Sequence, residues 1–310
     1  MDESGLNFNP PIGVSIELEP GLRRLLAPNP SPMTFRGTNT YLLGISNIAV
    51  IDPGPDNQKH LTNIIDSLET GQQITHIFLT HSHIDHSPLA KKLSEVTGAK
   101  TYARGPTGVG QSTAMLDLLA SGYTGGGEGR DEYFTPDVCL NEGEIINVAS
   151  EQLEVIYTPG HFGNHISFAW NSNLFSGDHV MDWATSMVSP PDGDLADFMA
   201  SCRKLQTRDW RFFYPGHGAI VQDPRGRLSW LLTHRLQREA QIIDQLHKAP
   251  MSPKELAKAI YIDTDPSLLG AAARNVFAHL IDLCNRAIVQ TDDAPRFEKT
   301  YTLSSDDGPN

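Results

Sequence analysis

The chain has no apolar run near the ~18 residues that a membrane-spanning helix requires, so a helical membrane protein is not expected. Cysteine is scarce. The three present, Cys139, Cys202 and Cys284, are too few and too scattered for a disulfide framework and lack the C-x-x-C spacing of a structural zinc site. Basic excess is also missing: 24 Lys and Arg stand against 37 Asp and Glu, a formal charge of −13, opposite to the footprint of a general nucleic-acid binder. Met1-Asp2-Glu3-Ser4 is acidic with no apolar segment behind it, so no secretory leader is expected and the reading is a cytoplasmic protein. What the 310 residues do contain is 39% hydrophobic side chains, enough for the core of one large domain or two unequal ones.

The charge is uneven. Residues 1–223 hold 13 basic and 26 acidic side chains, whereas residues 224–310 hold 11 of each. This break predicts units at 1–223 and 224–303, with a polar, disordered tail at 304–310.

In the first unit, Thr40–Leu43, Ile48–Ile51, Ile74–Leu79, Leu153–Tyr157, Ile166–Trp170, Leu174–Ser176 and Arg211–Tyr214 read as strands. Leu61–Leu68 has helical spacing, and Ser87-Pro88 reads as an N-cap followed by proline, opening a helix to Thr97. The mixture predicts an α/β or α+β layered domain. Between Gly105 and Gly129 lie eight glycines in 25 residues. Gly105–Ser112 imitates a phosphate-binding loop, but Gln111 stands where its lysine belongs, so a flexible surface insertion is the expectation. In the second unit, Leu228–Leu246, the Ser252-Pro253-Lys254-Glu255 capping box and Leu269–Leu283 predict three helices. Ile288-Val289 and Phe297–Leu303 complete a winged-helix pattern as a small hairpin.

The strongest chemical signal is Thr80-His81-Ser82-His83-Ile84-Asp85-His86, directly after a buried strand. Three histidines and an aspartate in six residues are not explained by packing or solvation; imidazole and carboxylate together suit zinc and related divalent ions. Thr158-Pro-Gly-His161, Ser176-Gly-Asp178-His179 and Tyr214-Pro-Gly-His217-Gly218 each put a ligand-type residue on a glycine turn just past a β run. Several strand ends can thereby converge on one centre. His165 reads equally as a substrate or outer contact and as a structural histidine; Trp183 and Met181 are candidates for the pocket wall, while His179 is expected to point away.

Taken as a set, these turns, together with Asp52-Pro53-Gly54, resemble the metallo-β-lactamase superfamily over about residues 15–223. Gly37-Thr-Asn-Thr-Tyr41 and the helix carrying His234, Arg235, Glu239 and Ile242 resemble the subgroup named for beta-lactamase-like protein 2, whose mitochondrial members are described as endoribonucleases. The resemblance implies an αββα sandwich followed by a small winged-helix-like domain. It assigns His81, His83 and His161 to one metal, Asp85, His86 and His217 to a second, and Asp178 to a bridge between them. Zinc is the leading metal, with manganese or iron as alternatives. Two such ions can hold a hydroxide between them as nucleophile, with Asp85 and Asp178 as the catalytic carboxylates and Asp85 orienting the nucleophile or passing a proton.

The expected activity is therefore hydrolysis of a small-molecule ester, thioester or lactone, or of a short single-stranded RNA. The −13 charge opposes a long polyanion, while Arg225, Arg227, Arg235 and Arg238 offer a cluster able to hold phosphates. A persulfide-dioxygenase-like enzyme with one iron on His81, His161 and Asp178 is the alternative, and an inactive binding module on the same fold a third reading. The neutral second unit predicts a lid or platform beside the site, with no duplex DNA as partner.

Overall fold

The computed structural model describes residues 7–125, 129–148 and 150–304. Two sheets form its centre. The first contains β1 (Ile16–Glu19), β2 (Leu22–Leu26), β3 (Asn39–Leu43), β4 (Asn47–Ile51), β5 (Gln73–Phe78), β6 (Lys100–Ala103) and β7 (Val138–Cys139), paired in sequence order. Helix α1 (Gln58–Asp66) connects β4 to its parallel neighbour β5, and α2 (Leu89–Thr97) connects β5 to β6. A third helix, α3 (Thr113–Ala120), lies between β6 and β7. The second sheet runs β12-β11-β10-β9-β8, from β8 (Ile145–Val148), β9 (Glu151–Tyr157), β10 (Ile166–Trp170), β11 (Asn173–Gly177) and β12 (Phe212–Pro215), with α4 (Leu195–Gln206) crossing between the parallel pair β11 and β12.

Both faces of each sheet are covered, which explains the continuously apolar strands. Along β3 and β4 the side chains alternate. Tyr41, Leu43, Ala49 and Ile51 meet Val155, Phe168 and Phe175 of the opposite sheet, whereas Leu42, Ile48 and Val50 meet Leu61, Ile64, Leu89 and Leu93 of α1 and α2. On the other side, Leu174 and Phe213 pack on Phe198 and Leu205 of α4 and on Leu228 and Leu231 of α5 (Pro224–Lys248). The layers are therefore αββα, as the resemblance implied. Helices α6 (Pro253–Ile260) and α7 (Leu269–Asn285) follow, with the short hairpin β13 (Val289–Gln290) and β14 (Thr302–Leu303). The Ser252–Glu255 capping box forms in full.

Three expectations need correction. Ser87 does not cap α2: its hydroxyl donates to Asp131 Oδ2 at 2.8 Å, and Pro88 occupies the cap position without a side-chain bond. Nor is the glycine-rich stretch a loose insertion. It contains α3, whose Met115 and Leu118 are buried against Ile242, Phe277 and Leu280 of the C-terminal helices, while Tyr123 packs edge-on to Phe277; residues 126–128 lie outside the described set. The second hairpin strand is shorter than the Phe297–Leu303 run. Of the tail, Ser304 donates its N–H to Ile288 O at 3.0 Å, and residues 305–310 lie outside the described set.

Candidate metal centre

The turns after β5, β9, β11 and β12 meet at one edge of the sandwich. His81, His83 and His161 present ligand atoms within 4.8 Å of one another, and so do Asp85, His86 and His217. His83 Nδ1 is 2.9 Å from His81 Nε2 and 3.0 Å from His161 Nε2. His217 Nε2 lies 3.1 Å from Asp85 Oδ2, with His86 Nε2 3.5 Å from the same carboxylate. Asp178 sits between the triads: Oδ2 is 3.7 Å from His161 Nε2 and 3.2 Å from His217 Nε2, and Oδ1 is 3.5 Å from His86 Nε2. All seven residues are thus brought together.

Backbone shape makes room for them. Gly177 has φ +49°, and a Cβ there would fall 2.6 Å from His165 Nε2. A Cβ on Gly216 would fall 2.3 Å from Asp178 Oδ1, so the β12 turn can pass behind the carboxylate only as glycine.

The outward nitrogens decide what the centre can bind. His161 Nδ1–H donates to Met187 O at 2.7 Å, His217 Nδ1–H to Gly37 O at 3.1 Å, and His86 Nδ1–H to Asp52 Oδ2 at 3.0 Å. Carbonyl and carboxylate oxygens only accept, so each neutral ring carries its proton on Nδ1 and turns the Nε2 lone pair inward. The Nε2 atoms of His86 and His217 face each other at 3.3 Å, and buried Asp178 Oδ1 has no hydrogen-bond partner. Converging lone pairs and carboxylates of this kind need positive charge among them, and the residues fit divalent cations.

Without a cation, protons serve instead. Burial works against a charged imidazole, but the Asp178 and Asp85 carboxylates overcome it and push His217 up to about 10; Asp85, Asp178 and Asp52 also hold His86 well above its usual value. At His81 and His83, burial and then the neighbouring imidazoles hold the pKa well below normal. Burial also opposes ionisation of Asp85 and Asp178, yet the adjacent imidazoles keep both below the ordinary carboxylate range. The His217 proton stabilises the metal-free fold most below the ordinary histidine pKa, ~6.5, and that stabilisation is lost as pH rises through about 10. A cation displaces this proton, so metal affinity should rise between neutral pH and ~9. Chelator-competition titrations at both values check this, and a flat or falling affinity would contradict it.

Other sequence candidates are placed differently. His165 is fully buried; Nδ1 bonds Thr158 Oγ1 at 2.8 Å, and Nε2 accepts the Asp178 N–H at 3.2 Å. It supports the Asp178 backbone from behind and has no exposed surface to offer a substrate. Trp183 does line the cleft and stacks on Phe35 at 4.9 Å. His179 turns away, with Nε2 3.4 Å from Cys202 Sγ. The arginine cluster is already occupied: Arg227 donates to Met181 O and Ala184 O, each at 2.7 Å, Arg235 donates to Ser186 O, and Arg225 pairs with Asp209. Arg238 lies over the Tyr261 ring at 3.9 Å. Arg227 and Arg235 thus hold loop carbonyls, and of the four it is these two that the phosphate-holding expectation loses.

Asp52 is a further residue of the centre, one to which its Asp-Pro-Gly motif assigns no role. Its carboxylate accepts the Thr80 N–H and Oγ1–H, both at 2.8 Å, as well as His86 Nδ1–H. The signal available was an Asp-Pro-Gly turn ending β4 beside the histidine loop. The Met187 and Gly37 carbonyls carried no signal, because backbone oxygens have no residue type.

A cleft of about 590 Å³ opens over the centre. His83, Asp85, His161, Asp178 and His217 form its floor, and Tyr261, Leu268, Ala272 and Asn275 from the C-terminal segment form one wall. No helix among the described residues is long and apolar enough to cross a membrane.

Residues 33–217 match the metallo-beta-lactamase superfamily, and residues 252–297 match the beta-lactamase associated winged helix domain. A beta-lactamase-like protein 2 homolog of Drosophila melanogaster is 32% identical over 278 residues, covering 84% of this chain and 86% of that protein. An atrochrysone carboxyl ACP thioesterase of a Cryptosporiopsis species is 26% identical over 255 residues, 80% and 70% of the two chains. The crystal structure of a beta-lactamase domain protein from Burkholderia ambifaria shares the fold, with a TM-score of 0.79 at 21% identity over 96% of each chain. With residues 33–217 and 252–297 matched in turn and a relative 32% identical across 84% of its length, the chain belongs to the metallo-β-lactamase superfamily and is a metallo-hydrolase.

Proposed function

We propose that the protein is a dinuclear, zinc-dependent hydrolase of small apolar acyl thioesters or esters. The composition of the cleft carries this reading. Met33, Met181, Trp183, Met187, Tyr261 and Leu268 dominate its walls, and no lysine or arginine is among the described residues lining it. Phosphodiester substrates bring a charge at every residue and call for cations along their path; an acyl chain calls for apolar wall. The thioesterase relative supports the same substrate class.

Bound at the two triads, divalent cations would supply Lewis acidity and an activated water. The chain's own residues do the rest. Methionine and aromatic walls take up the acyl group and exclude water, fixing the scissile carbonyl over the floor of the cleft. Asp85, with its side chain 17% exposed on that floor, is placed to hold the proton of the attacking water and pass it to the departing thiolate or alkoxide. Asp178 holds the triads at a fixed spacing. The one-iron reading gives Asp85, His86 and His217 no task, and an inactive module gives none to the whole set.

Incubating the purified chain with an acyl thioester and, separately, with a labelled single-stranded oligonucleotide tests this. Free thiol should appear, disappear with chelator and return with zinc, while the oligonucleotide stays intact. Chelator-sensitive oligonucleotide cleavage without thioester or ester turnover would contradict the reading.

A further inference from the structure

The segment Ser186-Met187-Val188 lies between the C-terminal helices and the metal centre. From the α5 side, Arg235, 3% exposed, donates to the Ser186 carbonyl and, at 3.0 Å, to Asn275 Oδ1 of α7. The same Oδ1 accepts the Val188 N–H at 3.2 Å. Two donors converging on one atom establish that atom as the amide oxygen. From the other side, the Met187 carbonyl accepts His161 Nδ1–H at 2.7 Å.

The Met187 carbonyl and the Val188 N–H belong to one peptide unit, which is planar and rigid. Asn275 grips one edge of that plane and His161 is held by the other. Rotating the plane to release Asn275 would turn the carbonyl off His161, freeing the ring to rotate or change tautomer. Arg235 fixes Asn275 and the preceding carbonyl, so the plane is held against slippage in both directions. Met187 and Asn275 also line the cleft, which puts the clamp in contact with whatever the cleft binds.

We infer that Arg235 and Asn275 are positioning residues for His161: through the Met187–Val188 peptide they set the geometry of the cation site at His81, His83 and His161. This rests on the metal-dependent reading above. It makes the C-terminal helices part of the metal centre's support as well as a wall of the cleft. Outer hydrogen-bond partners of a ligating imidazole fix its tautomer and orientation, and their loss typically costs about 10–100-fold in metal affinity.

Asn275 is the residue to change, because replacing a buried arginine can unfold the chain. Asn275→Leu preserves bulk and removes the acceptor; Asn275→Asp keeps the one acceptor oxygen that faces both Arg235 and Val188 and changes only the Nδ2 position, whose contacts to Met187 Sδ and Ala271 O are long at 3.5 Å each. Zinc affinity is measured by chelator competition on the full chain, with thermal unfolding of the metal-free forms alongside. One of the zinc affinities should weaken about 10–100-fold in N275L and be retained in N275D, with the metal-free forms still folding cooperatively. N275L with wild-type zinc affinity, whatever its stability, would overturn the inference by reducing the clamp to a tie between segments. Equal losses in both variants would overturn it too, since the acceptor would then not matter. A wild-type chain that binds no divalent cation would overturn both this inference and the reading it rests on, which separates that failure from the others.

Discussion

Asp178→Ala is expected to lower bound metal from about two ions per chain to about one or fewer, and to cut turnover at least ~100-fold. Its carboxylate lies 3.7 Å from His161 Nε2 and 3.2 Å from His217 Nε2, within reach of both triads. Deletion would leave five converging imidazoles with Asp85 as the remaining carboxylate among the seven. It would also remove the carboxylate that does most to hold His217 up to about 10, so the metal-free variant should lose that imidazole's proton at lower pH than the parent. Asp178→Asn gives the companion result: shape is kept and charge lost, so metal content should fall as in the alanine variant. Metal analysis after dialysis and thioester turnover read both. Two ions and normal turnover in Asp178→Ala would sink the bridging assignment.

Asp52→Ala should be the most destabilising single change near the centre. Asp52 is 2% exposed and has φ +51°, a left-handed backbone that aspartate and asparagine tolerate better than most residues. Alanine strands the Thr80 N–H and hydroxyl and the His86 Nδ1–H in the interior. Breaking a buried, hydrogen-bonded ionic pair in this way costs about 3–5 kcal/mol. Asp52→Asn separates stability from metal binding. Asparagine suits the backbone and still accepts the Thr80 N–H, but its NH₂ then confronts His86 Nδ1–H. Relief comes from moving the imidazole proton to Nε2, which blocks the lone pair meant for the metal. Asp52→Asn should therefore remain far closer to wild type in denaturant unfolding than Asp52→Ala, yet bind its second zinc about 10–100-fold more weakly. Equal metal affinity in Asp52→Asn and the parent would show that His86 needs no such partner.

The ligand-type residues were legible in the sequence because they are concentrated. One loop carries His81, His83, Asp85 and His86, and the other three sit on glycine turns at strand ends. Residue type and spacing carry that information. What surrounds them does not announce itself. His161 and His217 depend on the carbonyls of Met187 and Gly37, 26 and 180 residues away along the chain, and any residue can supply a carbonyl. The arginines of α5 illustrate the opposite error. Their charge and proximity suggested phosphate, whereas burial turned Arg235 and Arg227 toward loop carbonyls. Strands β3 and β4 were readable as short apolar runs because core covers both of their faces. Helix α4 went unassigned despite Asp194, whose carboxylate accepts from Ala196 N–H and Asp197 N–H at its start. Helix α3 was hidden by the glycines around it. Its own eight residues include no glycine, and its docking on Phe277 is a tertiary contact that no local pattern encodes.

The most direct test of the central claim is native mass spectrometry of the purified full chain titrated with zinc, with thioester turnover followed in parallel. The account predicts that binding saturates at about two ions per chain, with turnover rising to its maximum as the second ion binds and vanishing with chelator. Saturation at one ion with full turnover, or turnover indifferent to metal removal, would contradict it.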